Sequence, residues 1–121
     1  MRELTDHHDG HGLNDFITIE ADEKDPEAGN ASHEYTFQMG GDEVGRIQFQ
    51  HGPPLGENSI HGVTEAAVLV VLIDRIESFQ AGPYPCEEND RMLMRLKGAL
   101  EATQERVENR AKRGVLDTNT K

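Results

Sequence analysis

Apolar residues in this chain change their period once, near residue 63. Before that point they alternate with polar ones: FITIE at 16–20, HEYTFQM at 33–39 and VGRIQFQ at 44–50 each read as a short strand. Tyr35, Phe37 and Met39 share one face of the second segment, and Ile47 and Phe49 share a face of the third. GGDE between these two supplies a turn whose glycines can take positive φ, so the pattern predicts three short antiparallel strands. ADEKDPEAGNAS at 21–32 is polar and rich in breakers, and reads as a loop. HGPPLGENSIHG at 51–62, interrupted by prolines and glycines, excludes both helix and sheet and forms a junction.

From Thr64 onward the period is helical. Thr64 reads as an N-cap, Glu65 follows where the helix dipole favours an acid, and the helix continues to about Gln80. Its run AAVLVVLI at 66–73 is apolar on every side, which requires burial against more than a single hairpin partner. Gly82, Pro83 and Pro85 stop this helix. A second starts near Glu87, with Glu87, Glu88 and Asp90 in its first turn and Lys112 and Arg113 in its last, before Gly114; that span is about 40 Å long. Leu93, Leu96, Leu100, Thr103 and Val107 recur at threes and fours, a heptad-like seam for the first helix. The expected fold is α+β, a small N-terminal antiparallel β-sheet followed by a C-terminal antiparallel helical hairpin. Its divisions are a flexible acidic and His-containing tail at 1–14, a sheet region with its Pro/Gly-rich junction at 15–62, the hairpin at 63–114 and a C-terminal tail at 115–121.

Composition narrows the function classes. A chain of 121 residues with 35% hydrophobic content can build only a small core, and a symmetric homo-oligomer that hides more apolar area is expected. The single cysteine, Cys86, excludes an internal disulfide and suits a reducing compartment. MRELTDHHDG lacks an apolar signal core, and the run at 66–73 is too short to span a bilayer, so a cytoplasmic location is expected. Of the formal net charge of -11, nearly all belongs to residues 1–63. Such acidity argues against general affinity for nucleic acid polymers or anionic membranes, and leaves a small, enclosed anion as a compatible partner. His7, His8 and His11 are expected in a solvated tail, and His51 and His61 in structural roles. No Gly-rich phosphate loop, CxxC pair, HExxH or nucleophile elbow occurs, so neither enzymatic turnover nor a cofactor or metal is expected.

One feature resists the acidic background. Arg106, Arg110 and Arg113 lie on one helical face, and at three- and four-residue spacings neither Arg106 nor Arg110 meets a carboxylate. A solvated ion-paired face is the plain explanation for such a stripe. The alternative is phosphate recognition, for which the planar fork of arginine, donating two parallel hydrogen bonds, is better suited than lysine. Phe79 and Asn89 flank the hairpin bend, where an aromatic face could stack on a purine and an amide could read its edge; as structural residues they would be a core plug and a cap. Bend and Arg turns fall at opposite ends of the second helix, so a composite pocket requires two subunits.

The segments IQFQHGP, GVTEAAVLVVLIDRIESFQAGPYPCEEN and LKGALEATQERVENRAKRGV, within residues 47–118, closely resemble the helical-hairpin domain of the Thoeris anti-defence sponge family, first type, which anti-CBASS sponge proteins share. The patterns FQxGPxxCxEN and RxxxRxxRGV occur in the family's order and spacing. The resemblance implies sequestration, without cleavage, of cyclic immune signalling nucleotides: glycocyclic ADP-ribose of Thoeris and, in many members, cyclic di- or trinucleotides of CBASS. It implies ligand-binding roles for Phe79, stacking on adenine, for Asn89, and for Arg106 and Arg110, gripping phosphates, in a pocket between subunits. Hexamers built from dimers are common in the family, with a dimer as the alternative here. His61 replaces a usual asparagine, Glu87 a frequent base, and Leu116-Asp117-Thr118 a Glu-Gly-Thr ending, departures that bear on ligand preference. The competing reading is a small oligomeric interaction module that docks a host protein through the Arg stripe.

Overall fold

The computed structural model describes residues 1–52 and 59–114; the C-terminal tail expected at 115–121 and the centre of the Pro/Gly junction lie outside the described residues. The chain divides into two compact units, Met1–Gly62 and Val63–Lys121.

The first unit is a four-stranded antiparallel meander in the order β1 (Arg2–Leu4), β2 (Ile17–Ala21), β3 (Glu34–Met39) and β4 (Asp42–Gln48). Its register aligns Leu4, Ile19 and Phe37 in one row and Ala21, Tyr35 and Ile47 in the next, whereas Glu3, Glu20, Thr36 and Arg46 occupy the opposite face. The alternation read from the strands thus becomes a sheet with an apolar and a polar side. On the polar side Arg46 bridges Glu34 at 2.8 Å and Glu43 at 2.7 Å. Tyr35 and Phe49 meet edge to face with ring centroids 5.7 Å apart. Gly40 and Gly41 both adopt positive φ, 58° and 87°, the conformation that a two-residue hairpin loop demands and side chains resist.

Two expectations are corrected here. The sheet has four strands, not three, and residues 2–4 and 9–14 are structured where a flexible tail was expected. Arg2–Leu4 pairs with Ile19–Ala21, which completes the apolar row, a long-range pairing that three residues of sequence cannot advertise. The histidine-rich loop is held by a carboxylate: Asp15 accepts hydrogen bonds from the backbone N–H groups of Asp9 and Gly10, each at 3.0 Å, and from Gly12 at 3.4 Å. A 3-10 turn at Leu13–Phe16 carries Asp15 into that position.

The second unit is an antiparallel pair of helices, α1 (Glu65–Ala81) and α2 (Glu87–Lys112). Thr64 caps α1, its hydroxyl accepting from the Ala67 N–H at 3.1 Å. A seam of partly or fully buried positions runs Ala66, Leu69, Ile73, Ile76 and Gln80 on α1 and Asn89, Leu93, Leu96, Leu100 and Thr103 on α2, both at alternating spacings of three and four, with Val68 and Arg110 partly buried beside it. Ile73, 8% exposed, lies at the centre of that seam. Among the described residues it and Ala21 are the buried apolar side chains; Val70, Val71 and Met94 remain more than half exposed. At the bend, Gln80 clasps both ends of the turn: its carbonyl accepts from the Cys86 N–H, and its amide donates to the Cys86 carbonyl and the Asp90 carboxylate. Among the described residues no helix is long and apolar enough to cross a membrane.

Ile73→Ala is expected to destabilise the hairpin by about 2–4 kcal/mol, seen as a lower midpoint in denaturant monitored by helical circular dichroism. An acid-dependence also follows from Asp15. The backbone N–H of Gly10, with smaller help from Gly12 and Asp9 and against the effect of burial, holds its carboxyl below the ordinary 3.8. A group depressed in this way stabilises the fold above 3.8, and the contribution disappears as pH falls through its lowered folded value. Melting temperature against pH should therefore fall less steeply below pH 4 in Asp15→Asn than in the parent.

Candidate functional site

The two helices of the hairpin differ in length, and the difference creates the site. α1 has 17 residues and α2 has 26, so with their ends joined at the bend the last turns of α2 run on past the start of α1. Val107, placed by its spacing in the seam, is 47% exposed because α1 has already ended there. Arg106, Arg110 and Arg113 belong to this overhang. With Ala102, Glu105 and Asn109 they line an open concavity of about 490 Å³. A second, more apolar hollow of about 370 Å³ lies on the other side of Arg106, between Thr64 and Ala66 of α1 and Thr103 and Val107 of α2. Arg106 thus lines both the open concavity and the more apolar hollow.

Arg106 has an acid partner that local spacing hides. Its guanidinium donates to Glu65 at 2.8 Å across the hairpin, a pair whose members are 59% and 57% exposed. Glu65 is in the first turn of α1, where the dipole favours its charge, and the antiparallel register delivers it to the sixth turn of α2. Such an exposed pair contributes little to stability and can be exchanged for another anion at little cost.

Phe79 and Asn89 occupy the other end. Phe79 is 41% exposed, with the Arg75 guanidinium 5.1 Å above its ring, so it is an accessible cationic-aromatic surface and not the core plug that periodicity alone allowed. Asn89 is the third residue of α2, partly buried, and Cys86, not Asn89, holds the N-cap position. From Asn89 to Arg106 the rise along α2 is about 26 Å. Within one hairpin the structure therefore gathers Arg106 and Arg110, brings Phe79 and Asn89 to the same bend, and keeps the two pairs apart.

A further cluster lies in the N-terminal unit, among residues that no short ligand spacing links. The Nε2 atoms of His33 and His51 approach the same oxygen, Oδ2 of Asp25, at 3.0 and 3.2 Å. The hydrogen bond from His33, followed by that from the Glu27 N–H, holds the Asp25 carboxyl below its ordinary value. Asp25, His33 and His51 are the group able to hold a metal ion among the described residues. No such group involves His7, His8 or His11; His7 instead bonds the Ile17 carbonyl.

No family model matches the chain. It is similar to Thoeris anti-defense 1 of Bacillus phage SBSphiJ7, with 29% identity over 93 residues, 77% of this chain. The matched stretch covers 65% of that relative's length.

A double-mutant cycle of Arg106→Ala and Glu65→Ala should give a coupling of at most about 1 kcal/mol in unfolding free energy, the value for an exposed pair.

Proposed function

We propose, from this chain's similarity to Thoeris anti-defense 1 of Bacillus phage SBSphiJ7, that it binds a small cyclic immune signalling nucleotide and withholds it from its receptor without cleaving it. The observation that carries this reading is the overhang: arginines on successive turns of α2, facing an open concavity of the size that small ligands occupy, beside an apolar hollow. Arg106 and Arg110, one turn apart, suit two phosphate groups of a glycocyclic ADP-ribose or of a cyclic di- or trinucleotide. Glu65 acts as the resident counter-ion, and an incoming phosphate takes its place on Arg106.

In this reading Phe79 stacks on the base and Asn89 contacts it, supplied by the bend of one subunit to the overhang of another. The separation along α2 requires that arrangement, and the exposed apolar side chains of α1, Val70, Val71 and Leu72 among them, support a homo-oligomer, hexamer or dimer, that covers them. Sequestration then works by mass action. Nanomolar affinity corresponds to about 12 kcal/mol, which needs an enclosed pocket between subunits and not an open helix face. Acting as a sponge calls for no nucleophile, metal or cofactor at this site.

Calorimetric titration with glycocyclic ADP-ribose isomers and cyclic di- and trinucleotides tests the proposal, with bound ligand recovered after heat denaturation. Tight binding and release of intact nucleotide are expected. Arg106→Ala and Arg110→Ala should each weaken binding by about 2 kcal/mol or more with the oligomer unchanged, whereas Glu65→Gln should strengthen it, since the ligand no longer displaces a carboxylate. Unaltered affinity in both arginine variants would overturn the site assignment. Absence of binding across the panel would favour docking on an acidic host protein through the same arginines.

A further inference from the structure

We propose that Asp25, His33 and His51 form a zinc-binding site that ties the β2–β3 connection to the segment following β4 in the N-terminal unit. Asp25 lies in the β2–β3 connection, His33 immediately before β3, and His51 beyond β4. The three converge so that one ligand atom from each falls within 4.8 Å of the others.

The geometry is compatible with a coordination polyhedron. Zinc with imidazole and carboxylate ligands at about 2.0–2.1 Å in a tetrahedron sets its ligand atoms about 3.3 Å apart. The two Nε2 to Oδ2 separations, 3.0 and 3.2 Å, are close to that edge. The imidazoles are stacked, 4.1 Å between centroids and 14° from parallel, so both present the same nitrogen edge in one direction. Two neutral imidazoles and one carboxylate carry a single negative charge, suited to a divalent cation of borderline softness.

The supporting contacts orient the ligands before any metal arrives. The second oxygen of Asp25 accepts from the Glu27 N–H at 3.0 Å, which leaves Oδ2 facing the histidines. The backbone of Asp25 bonds reciprocally into the loop, its N–H donating to the Ala31 carbonyl at 2.9 Å and its carbonyl accepting from Asn30 at 2.8 Å. His33 is fixed at its backbone, its N–H donating to Asp22 and its carbonyl accepting from Phe49, while His51 exchanges both backbone bonds with Ile60. Side-chain exposures of 21%, 16% and 38% leave an approach for the ion and for water in a fourth position. A bound ion would cross-link the polar loop at 22–33 to the segment leaving β4, in a unit whose described apolar core includes a single fully buried side chain, Ala21.

The test uses the full chain, stripped with chelator and dialysed. Zinc titrated by calorimetry should bind with one equivalent per chain and raise the melting temperature. Cobalt in its place should give the intense visible bands of a four-coordinate ion. His51→Ala, at the most exposed of the three ligands, should keep the melting temperature of the metal-free parent while losing at least about tenfold in zinc affinity. Asp25→Asn should behave likewise. A variant with His7, His8 and His11 all changed to alanine should bind as the parent does. Absence of saturable zinc binding would overturn the proposal, and so would binding that survives His51→Ala and Asp25→Asn but vanishes in the triple variant.

Discussion

The antiparallel seam around Ile73 is the constraint on which the helical unit depends. Heptad spacing on both helices admits one register, and the Gln80 clasp fixes the end from which that register is counted. With the bend set, the unequal lengths of α1 and α2 determine what remains at the far end: the last turns of α2 and its C-cap, bearing Arg106, Arg110 and Arg113, extend past the start of α1. The same register brings Glu65 to Arg106 over a sequence separation of 41 residues. A change of seam register would move the carboxylate off its arginine and alter the shape of both hollows beside it.

Each unit leaves apolar surface uncovered by its own residues. The sheet collects Leu4, Ile19, Phe37, Tyr35 and Ile47 on one side, and the run at 66–73 in α1 is apolar around its circumference although a single partner helix can cover only one stripe. Ile73 is buried because it faces α2; Val71, two residues away and turned to another side, is 66% exposed. Patterns of this kind in a small domain mark association surfaces. The proposed oligomer and the proposed pocket are consequently linked, since the surface that recruits a second copy also decides whether the bend of one hairpin can reach the overhang of another.

Elements whose signals are local were legible in the sequence. The Thr64 cap, the Gly82-Pro83 stop, the acid-rich start and base-rich end of α2, and the glycine pair between β3 and β4 each state their structure within a few residues. What escaped notice depends on distant partners. Three residues at 2–4 become a strand only because Ile19–Ala21 offers an apolar row to complete, and Asp15 reads as one more acid until its oxygens collect three backbone donors. Of the site, the arginine face was visible as a spacing of four and three, but its counter-ion on the other helix was not. The convergence of Asp25, His33 and His51 was hidden for the same reason, since eight and eighteen residues of chain separate the ligands and no short motif links them.

The helix dipole offers the simplest competing explanation for the bases of α2, and the positions distinguish the two. Exposed carbonyls at a helix C-terminus carry roughly half a negative charge, an effect confined to the last turn. Arg110 and Lys112 lie in that turn and serve it. Arg106 is six residues before the end of α2, beyond the dipole's reach, and pairs with an acid that is itself already favoured by the N-terminal dipole of α1. Neither dipole therefore requires the pair. Its combination of high exposure, a replaceable carboxylate and a position between two hollows is what an exchangeable anion site needs, and helix stability alone gives no reason for arginine there.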